Sequence, residues 1–196
     1  MSAIPGFLLT RHWRDNHGLE LVFWAHSPRG PLRLVFPRQR AICFVARDTR
    51  LDPVDIRGAT RKPLNLNGLD GAEVDGLYFQ RQRDLQQVRE HATRNSIRLY
   101  ESDVKPHDRF LMERFITAPF KVLGNPIQKK GYLELVNPRL LPASFEPQLT
   151  YVSLDIETDG IDGPILSVAL SNQEQEIILM QGRTEDWMWV PKIGAC

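Results

Sequence analysis

The stretch Leu149-Thr150-Tyr151-Val152-Ser153-Leu154-Asp155-Ile156-Glu157-Thr158 decides the fold of the second part of the chain. It is an apolar run that ends in two carboxylates one residue apart. Side chains alternate along a β-strand, so Asp155 and Glu157 are predicted to point to the same face. Two acids on one face repel each other unless a cation lies between them, and carboxylate pairs suit Mg²⁺ or Mn²⁺. The pattern therefore indicates a divalent-metal site of the kind that supports two-metal phosphoryl transfer.

An ordinary alternative stays open, because Asp-X-Glu is a short pattern that also occurs by chance on exposed strands. The context favours the metal site. A turn-rich segment at 159–164 and two further predicted strands, 165–170 and 176–180, follow the acids. Three successive strands with the acids on the first are typical of the opening of an RNase H-like nuclease. Asp159 and Asp162 adjoin glycines in the turn and are predicted to be solvated loop acids.

Composition is that of an ordinary globular protein, since 42% of the 196 residues are hydrophobic and 25% are charged. This length suits one large domain or two small ones. Neither an apolar run of the roughly 18 residues that span a membrane nor a signal-peptide pattern is present, so no membrane association is expected. Cys43 and Cys196 match neither a disulfide framework nor a zinc spacing, which predicts a reduced, cytoplasmic protein.

Charge is unevenly distributed along the chain. Residues 151–196 carry eight acids and two bases, whereas residues 1–150 carry 16 acids and 23 bases, giving balances of −6 and +7. A protein that holds a polyanion and cuts it would combine a basic part with an acidic, metal-binding part. The alternative is that an excess of seven charges over 150 residues is unremarkable.

The first part of the chain is predicted to be rich in β structure. Alternating patterns predict strands at 7–13, 19–26, 32–36 and 41–46, which would form a small open barrel or meander. Residues 51–73 contain two prolines and three glycines and are predicted to be a loop-rich connection.

A βαβ-like unit is predicted next, with strands at 76–80 and 97–100 around a helix at 84–95. Leu85, Val88 and Ala92 fall on one face of that helix.

Residues 103–147 are predicted to complete the first domain. A second helix is predicted at 103–116, and strands at 120–123 and 132–136 are expected to pair across the loop between them. Prolines at 138, 142 and 147 predict a stiff linker, with a domain boundary near residue 146. The predicted fold class is α+β.

Several side chains are candidates for nucleic-acid contact. Arginines along the predicted helix could follow a phosphate backbone, although a solvated helix face is an equal alternative. The candidates are Arg81, Arg83, Arg89 and Arg94. The same two interpretations apply to Arg29, Arg33, Arg38 and Arg40.

Aromatic residues, histidines and Cys43 are predicted to be mainly structural. Trp13, Trp24, Phe23 and Phe36 could stack on bases, but strands of this pattern more often place such residues in the core. The histidines have no zinc-like partners nearby and are predicted to be structural or surface residues; they are His12, His17, His26, His91 and His107. Cys43 is predicted to be a small buried apolar residue.

Three segments, in the same order along the chain, resemble one protein family. They are Gly6-Phe7-Leu8-Leu9-Thr10-Arg11-His12-Trp13-Arg14-Asp15; Tyr100-Glu101-Ser102-Asp103-Val104-Lys105-Pro106 with the continuation Arg109-Phe110-Leu111-Met112-Glu113-Arg114-Phe115-Ile116-Thr117; and Ser153-Leu154-Asp155-Ile156-Glu157-Thr158. Through them the chain resembles the bacterial DNA polymerase II family, a branch of the family B DNA polymerases. The third segment is similar to the first exonuclease motif of that family.

The resemblance implies a parent enzyme that extends a DNA primer-template with dNTPs and proofreads with a 3′→5′ exonuclease dependent on Mg²⁺ or Mn²⁺. It implies roles in DNA repair and replication restart at the nucleoid, and a sliding clamp bound through regions outside this chain. Residues 1–146 would be the N-terminal domain, near the template strand. Residues 147–196 would be the first strands of an RNase H-like exonuclease domain.

By the resemblance, Asp155 and Glu157 are catalytic metal ligands, and their partner carboxylates would come from later exonuclease motifs. Neither those motifs nor the polymerase signatures occur in the 196 residues. We therefore expect a truncated exonuclease domain, from an expressed fragment or a truncated reading frame, without nuclease activity of its own. Two rivals remain: a non-catalytic nucleic-acid-binding module whose two acids bind no metal, and a stand-alone exonuclease, for which the chain lacks the completing residues.

Overall fold

The structure is a computed structural model that describes residues 3–182 and the backbone of residues 187–191. The chain divides into two compact units, Met1–Pro147 and Gln148–Cys196. The elements of the first unit are β1 Ile4–Arg14, β2 Leu19–His26, β3 Leu32–Gln39, β4 Ala41–Ala46, β5 Ala59–Asn67, β6 Glu73–Phe79, α1 Gln82–Arg94, β7 Leu99–Tyr100, α2 Pro106–Met112, β8 Pro119–Leu123, β9 Ile127–Lys129, β10 Tyr132–Val136 and β11 Arg139–Pro142. Those of the second unit are β12 Ser153–Thr158, β13 Ile165–Ser171, β14 Glu176–Gln181 and β15 Trp187–Pro191.

A curled seven-stranded sheet forms most of the first unit, in the order β11-β8-β1-β2-β3-β10-β9. The predicted meander is present, because β1, β2 and β3 pair antiparallel in sequence order. Alternate residues of β2 and β3 face the core, and six of them are at most 1% exposed: Leu19, Leu21, Phe23, Ala25, Leu32 and Leu34. This alternation is the reason that the strand pattern was visible in the sequence.

A four-stranded sheet, in the order β5-β6-β4-β7, forms the rest of the first unit. Both β6 and β7 pair antiparallel with β4, so they run parallel to each other with β4 between them. The predicted βαβ-like unit is therefore split by β4. Helix α1 buries Leu85, Val88 and Ala92, the face predicted from their spacing.

Four expectations for the first unit were wrong. Strand β4 leaves the meander and joins the second sheet. The predicted loop at 51–73 contains β5. The residues of β5 are mostly polar and mostly exposed, so the sequence shows too little of the alternation of apolar and polar residues that indicates a strand. Strands β8 and β10 do not pair with each other: β8 lies between β1 and β11, whereas β10 runs parallel to β3 and pairs with β9. The predicted linker is shorter than expected, because Pro142 ends β11.

The second unit is an antiparallel sheet whose four strands lie in sequence order. Strands β12, β13 and β14 correspond to the three predicted strands. None of residues 148–182 is buried. Neither helix in the described residues is long and apolar enough to cross a membrane.

Candidate metal and nucleic-acid sites

The two acids of β12 share a face with small side chains on the neighbouring strand. Asp155 lies opposite Ala169 of β13, and Glu157 lies opposite Ser167. Residues directly opposite in an antiparallel pair project to the same side of the sheet. The alanine and serine side chains therefore leave open space beside the carboxylates. Larger residues at positions 167 and 169 would fill that space.

An irregularity in the pairing lies directly beside Glu157. Glu157 pairs with Ser167, but the next residue, Thr158, pairs with Ile165, so Leu166 is an extra residue on β13. Such bulges bend a strand and change the direction of nearby side chains. The bulge thus bends β13 at the point where it pairs with Glu157 of β12.

The turn after β12 is closed by a hydrogen bond from the Asp159 N–H to the Pro164 carbonyl oxygen, 3.0 Å between nitrogen and oxygen. Gly163 is required in this turn, since a Cβ there would collide with the Asp159 carbonyl group. The side chains of Asp159 and Asp162 are exposed, as predicted for loop acids.

The opposite face of the same sheet is apolar. Cross-strand pairing places six apolar side chains on it: Leu154, Ile156, Val168, Leu170, Ile177 and Leu179. Leu154 is 60% exposed and Ile156 is 44% exposed. Strand β12 therefore carries its acids on one side and two large apolar residues on the other.

The acid pair can supply only part of a metal's ligand shell. Asp155 and Glu157 are both exposed, and Asp155 Oδ1 accepts the backbone N–H of Ile156 at 3.1 Å. Within residues 3–182, no group of three or more His, Cys, Asp and Glu side chains is arranged to hold a metal ion. Two carboxylates suit Mg²⁺ or Mn²⁺ chemically, but such ions need six ligands, so water or further residues must complete the shell. The catalytic and metal-binding roles stay predictions.

The four arginine candidates, Arg81 just before α1 and the other three within it, do not form one basic strip. Arg81 Nε donates a hydrogen bond to Asp84 Oδ2 at 2.9 Å. The positive charge of Arg81 is therefore paired with an acid at the start of the helix. Arg83 and Arg94 are exposed, but Glu90 lies between them on the same side of α1. Arg89 is exposed on another side. Contact between any of these arginines and DNA stays a prediction.

The other singled-out residues have structural surroundings. Phe23 and Phe36 are buried, and Trp13 stacks on His107 with ring centroids 5.1 Å apart. Burial lowers the pKa of His107. Cys43 is fully buried, and burial raises the pKa of its thiol to about 12. Cys196 lies outside the described residues.

Sequence reasoning missed a second group of aromatic residues, on the side of the four-stranded sheet away from α1. We call this the outer face and define it by Ile42, Phe44, Tyr78 and Tyr100. In the register, Ile42 lies opposite Tyr78 and Phe44 lies opposite Tyr100. These residues come from β4, β6 and β7, which are separated in sequence, so the only local signal was alternation within each strand.

Comparisons with known proteins agree with this architecture. The family described as DNA polymerase II, N-terminal, matches residues 6–40. DNA polymerase II of Escherichia coli is 36% identical over 186 residues, which cover 92% of this chain and 23% of that protein. The chain is homologous to DNA polymerase II. The resemblance predicted from the three segments is thereby confirmed.

The match to DNA polymerase II extends well beyond the segment that the family profile covers, but the chain spans less than a quarter of the length of that relative. The family B DNA polymerase of the hyperthermophilic archaeon Pyrobaculum calidifontis has a similar fold. The TM-score is 0.65 at 15% identity, over 93% of this chain and 27% of that one. The chain therefore shares its fold with about a quarter of that polymerase at low sequence identity.

Proposed function

We propose that this chain supplies the N-terminal domain, 1–146, and the opening strands of the 3′→5′ proofreading exonuclease, 147–196, of a DNA-directed DNA polymerase. The observation that carries the proposal is the 36% identity to DNA polymerase II, which continues through almost the whole chain. Strand β12 adds chemical support, because its two acids project from an open face above small side chains. The exonuclease domain of this proposal has the RNase H-like fold.

Asp155 and Glu157 would hold divalent ions that activate water and stabilise the leaving 3′ oxygen of a DNA strand. The apolar face behind them requires a covering layer, because exposed leucine and isoleucine side chains are unfavourable in water. Burial of that face would fix β12 and hence the direction of both carboxylates. The two acids alone are insufficient for catalysis, so this chain by itself should be inactive as a nuclease.

The parent enzyme would extend primers with dNTPs on a DNA template, bind a sliding clamp and act in DNA repair and replication restart at the nucleoid in the cytoplasm. Sequencing of the gene past the Cys196 codon tests this assignment. Further exonuclease and polymerase motifs are expected there. A natural stop codon at that position would contradict the polymerase proposal.

Binding of Mn²⁺ tests the role of the acid pair directly. Electron paramagnetic resonance of free Mn²⁺ should show weak binding to the 196-residue chain, and the double variant Asp155→Asn, Glu157→Gln should abolish it. The control is Asp159→Asn, Asp162→Asn, which removes the same two charges from the adjacent turn and should retain binding. Equal losses of Mn²⁺ binding in both double variants would show that binding depends only on the total negative charge of this region, and they would contradict a site at Asp155 and Glu157.

A nuclease assay tests the expected inactivity. A 5′-labelled single-stranded oligonucleotide incubated with the chain and Mg²⁺ should remain intact. Degradation that disappears in Asp155→Ala would show that the two acids suffice, and it would overturn this part of the proposal.

A further inference from the structure

Helix α2 contacts the seven-stranded sheet through two consecutive residues, His107 and Asp108. The His107 ring stacks on Trp13 of β1, with ring centroids 5.1 Å apart and ring planes at 25° to each other. The Asp108 carboxylate is paired with Arg11 of the same strand. Because a helix of seven residues is not stable alone, these contacts hold the start of α2 on β1.

The next two residues of α2 contact other parts of the first unit. Arg109 Nη2 donates a hydrogen bond to Glu101 Oε2 at 2.7 Å, and its guanidinium carbon lies 5.2 Å from the ring centre of Phe44 in the four-stranded sheet. The Phe110 ring packs against Phe36 of the seven-stranded sheet, with ring centroids 4.5 Å apart. Helix α2 therefore joins the two sheets, and loss of its contacts with β1 would weaken that connection.

His107 is buried without the hydrogen bonds that a charged imidazole needs. The residue is 6% exposed, and its Nδ1 is the only buried side-chain nitrogen or oxygen within residues 3–182 that has no hydrogen-bond partner. Its Nε2 lies 3.6 Å from Asp108 Oδ1, which is beyond hydrogen-bond distance. A protonated imidazole has two N–H donors, so protonation would leave buried donors unpaired, at a cost in free energy.

The charged groups around His107 compensate little for protonation of its ring. Asp108 attracts a positive charge on the ring, but its carboxylate is already paired with Arg11. Arg11 and His12 of β1, and Lys105 just before α2, repel such a charge. Burial has the largest influence and, together with these three cationic residues, lowers the pKa of His107. His107 is therefore mostly neutral at pH 7.

We propose that His107 makes the attachment of α2 to β1 sensitive to acid: protonation of its ring separates it from Trp13, releases α2 from β1 and weakens the connection between the two sheets. The attraction of a cation to the indole face is smaller than the cost of a buried cation with an unpaired N–H. Water can reach the charged ring only if α2 moves away from β1. This device lies within the first unit and does not depend on Asp155 and Glu157.

The pH range of the effect follows from the direction in which folding moves the pKa of His107. A histidine whose pKa is lowered on folding stabilises the folded contacts above its unfolded pKa of about 6.5, and this contribution is lost as pH falls from there through the folded value. The buried carboxylate of Asp75 keeps its charge at pH 5, because its pKa lies below the ordinary value of about 4. A comparison of pH 7.5 with pH 5 therefore separates the titration of His107 from that of Asp75.

Hydrogen–deuterium exchange of the whole 196-residue chain at pH 7.5 and pH 5, corrected for the intrinsic pH dependence of exchange, tests the proposal. Protection of the amides of 107–116 should fall by about threefold or more at pH 5, whereas β2 should keep its protection. His107→Phe keeps a ring on Trp13 but cannot be protonated, so its α2 amides should be equally protected at both pH values. Equal losses in β2 and α2 of the wild type would show global unfolding and overturn the proposal.

The matched control is His17→Phe, the same substitution at an exposed histidine in the turn between β1 and β2. It should retain the loss of α2 protection that the wild type shows at pH 5. His12→Gln tests the half-buried histidine of β1, whose pKa is also lowered by burial, and it should retain the loss as well. A loss that disappears in His12→Gln, or that persists unchanged in His107→Phe, would contradict the role of His107.

Nuclear magnetic resonance of the wild type gives a result that does not depend on how the variants fold. The imidazole signal of His107 is assigned by its Overhauser contacts with the Trp13 ring and followed from pH 8 to pH 4.5, in the folded protein and in urea. It should titrate at a lower pH in the folded protein than in urea, and the contacts with Trp13 should weaken over the same pH range. A folded midpoint at or above the urea value, or contacts that persist in the protonated state, would overturn the proposal.

Discussion

The carboxylate of Asp15 caps helix α1 from a distant part of the chain: its Oδ1 accepts the backbone N–H of Gln82 at 2.9 Å. Its Oδ2 accepts the N–H of Arg83, also at 2.9 Å. Asp15 lies in the turn between β1 and β2, whereas the residue that precedes the helix, Arg81, provides no side-chain cap. The hydrogen bonds therefore join the two sheets of the first unit through a helix end.

Asp15→Ala should lower the free energy of unfolding by about 1–2 kcal/mol, the cost of losing a helix N-cap. Urea unfolding followed by circular dichroism measures the change. Asn16→Ala, in the same turn, is the control and should have an effect below about 0.5 kcal/mol. Equal effects in both variants would show that the turn, and not the cap, determines stability.

Asp75 is the second polar residue on which the first unit depends. It is buried and accepts hydrogen bonds from Arg47 Nε at 3.0 Å and from Arg61 Nε at 2.8 Å. Burial alone would raise the pKa of Asp75, but the hydrogen bonds and charges of the two arginines together hold it below the ordinary value. Asp75→Asn should therefore destabilise the protein by about 2 kcal/mol at pH 7, because it weakens charge-assisted hydrogen bonds.

The pH dependence gives this prediction a sign. Since the pKa of Asp75 is lower in the folded state, its stabilisation is present above the unfolded value of about 4 and is lost as pH falls through the folded value. The stability difference between wild type and Asp75→Asn should shrink below pH 4. A difference that stays constant down to pH 2.5 would show that the carboxylate charge is unimportant.

The two helices in the described part of the chain each end with a non-glycine residue in the left-handed conformation, Ser96 at φ 55° and Phe115 at φ 54°. At α2 the Phe115 N–H bonds to the Met112 carbonyl and the Ile116 N–H bonds to the Leu111 carbonyl, the pattern that usually places glycine at Phe115. Phe115→Gly should raise the free energy of unfolding by about 1 kcal/mol, because the strain of the left-handed conformation is relieved.

Phe115 is 86% exposed, so removal of its phenyl ring should cost little stability. Phe115→Ala is the control that removes the ring but keeps the Cβ, and its stability should stay close to that of the wild type. Thermal unfolding of both variants separates backbone strain from the ring. Equal stabilisation by alanine and glycine would assign the effect to the ring instead.

Cys43 should be chemically inert in the folded protein. Its pKa of about 12 leaves almost no thiolate at pH 8, and its side chain is inaccessible. In a Cys196→Ser variant, a thiol reagent such as 5,5′-dithiobis(2-nitrobenzoate) should react only after urea is added. Reaction within minutes at pH 8 without denaturant would show that β4 opens readily.

Backbone amides of the second unit should exchange with solvent faster than those of β2. Residues 148–182 bury no side chain, whereas β2 contributes five residues that are fully enclosed: Leu19, Leu21, Val22, Phe23 and Ala25. Protection against exchange follows burial and cooperative packing. Hydrogen–deuterium exchange with mass spectrometry measures both segments, and equal protection would contradict this expectation.

Local patterns were sufficient for some elements and not for others. Strand β2 begins and ends at the predicted residues because Leu19, Leu21, Phe23 and Ala25 alternate along it and glycines lie in the turns on both sides. Strand β5 was missed because it lies at a sheet edge, where exposed polar residues and Pro63 are tolerated. The partners of β8 and β10 could not be predicted, since β10 runs beside β3, about 100 residues earlier in the chain, and no local signal specifies such a pairing.

The candidate sites divide in the same way. The shared face of Asp155 and Glu157 follows from strand periodicity alone, but the small residues opposite them depend on the register with β13. The outer face was not predictable, because Tyr78, Phe44 and Tyr100 come together only through the strand order β6-β4-β7. Sites within one strand are visible in sequence, whereas sites across strands require the fold.

The bulge at Leu166 links folding to chemistry in β12. Because alternate residues of this strand are acidic and apolar, a slip of one position against β13 would turn Asp155 and Glu157 towards the side that needs an apolar cover and expose Leu154 and Ile156 in their place. A single misalignment would thus take both acids away from the metal-binding face and take Leu154 and Ile156 away from the face that is covered. Insertions or deletions between 158 and 166 should therefore be far more damaging than substitutions in the same turn.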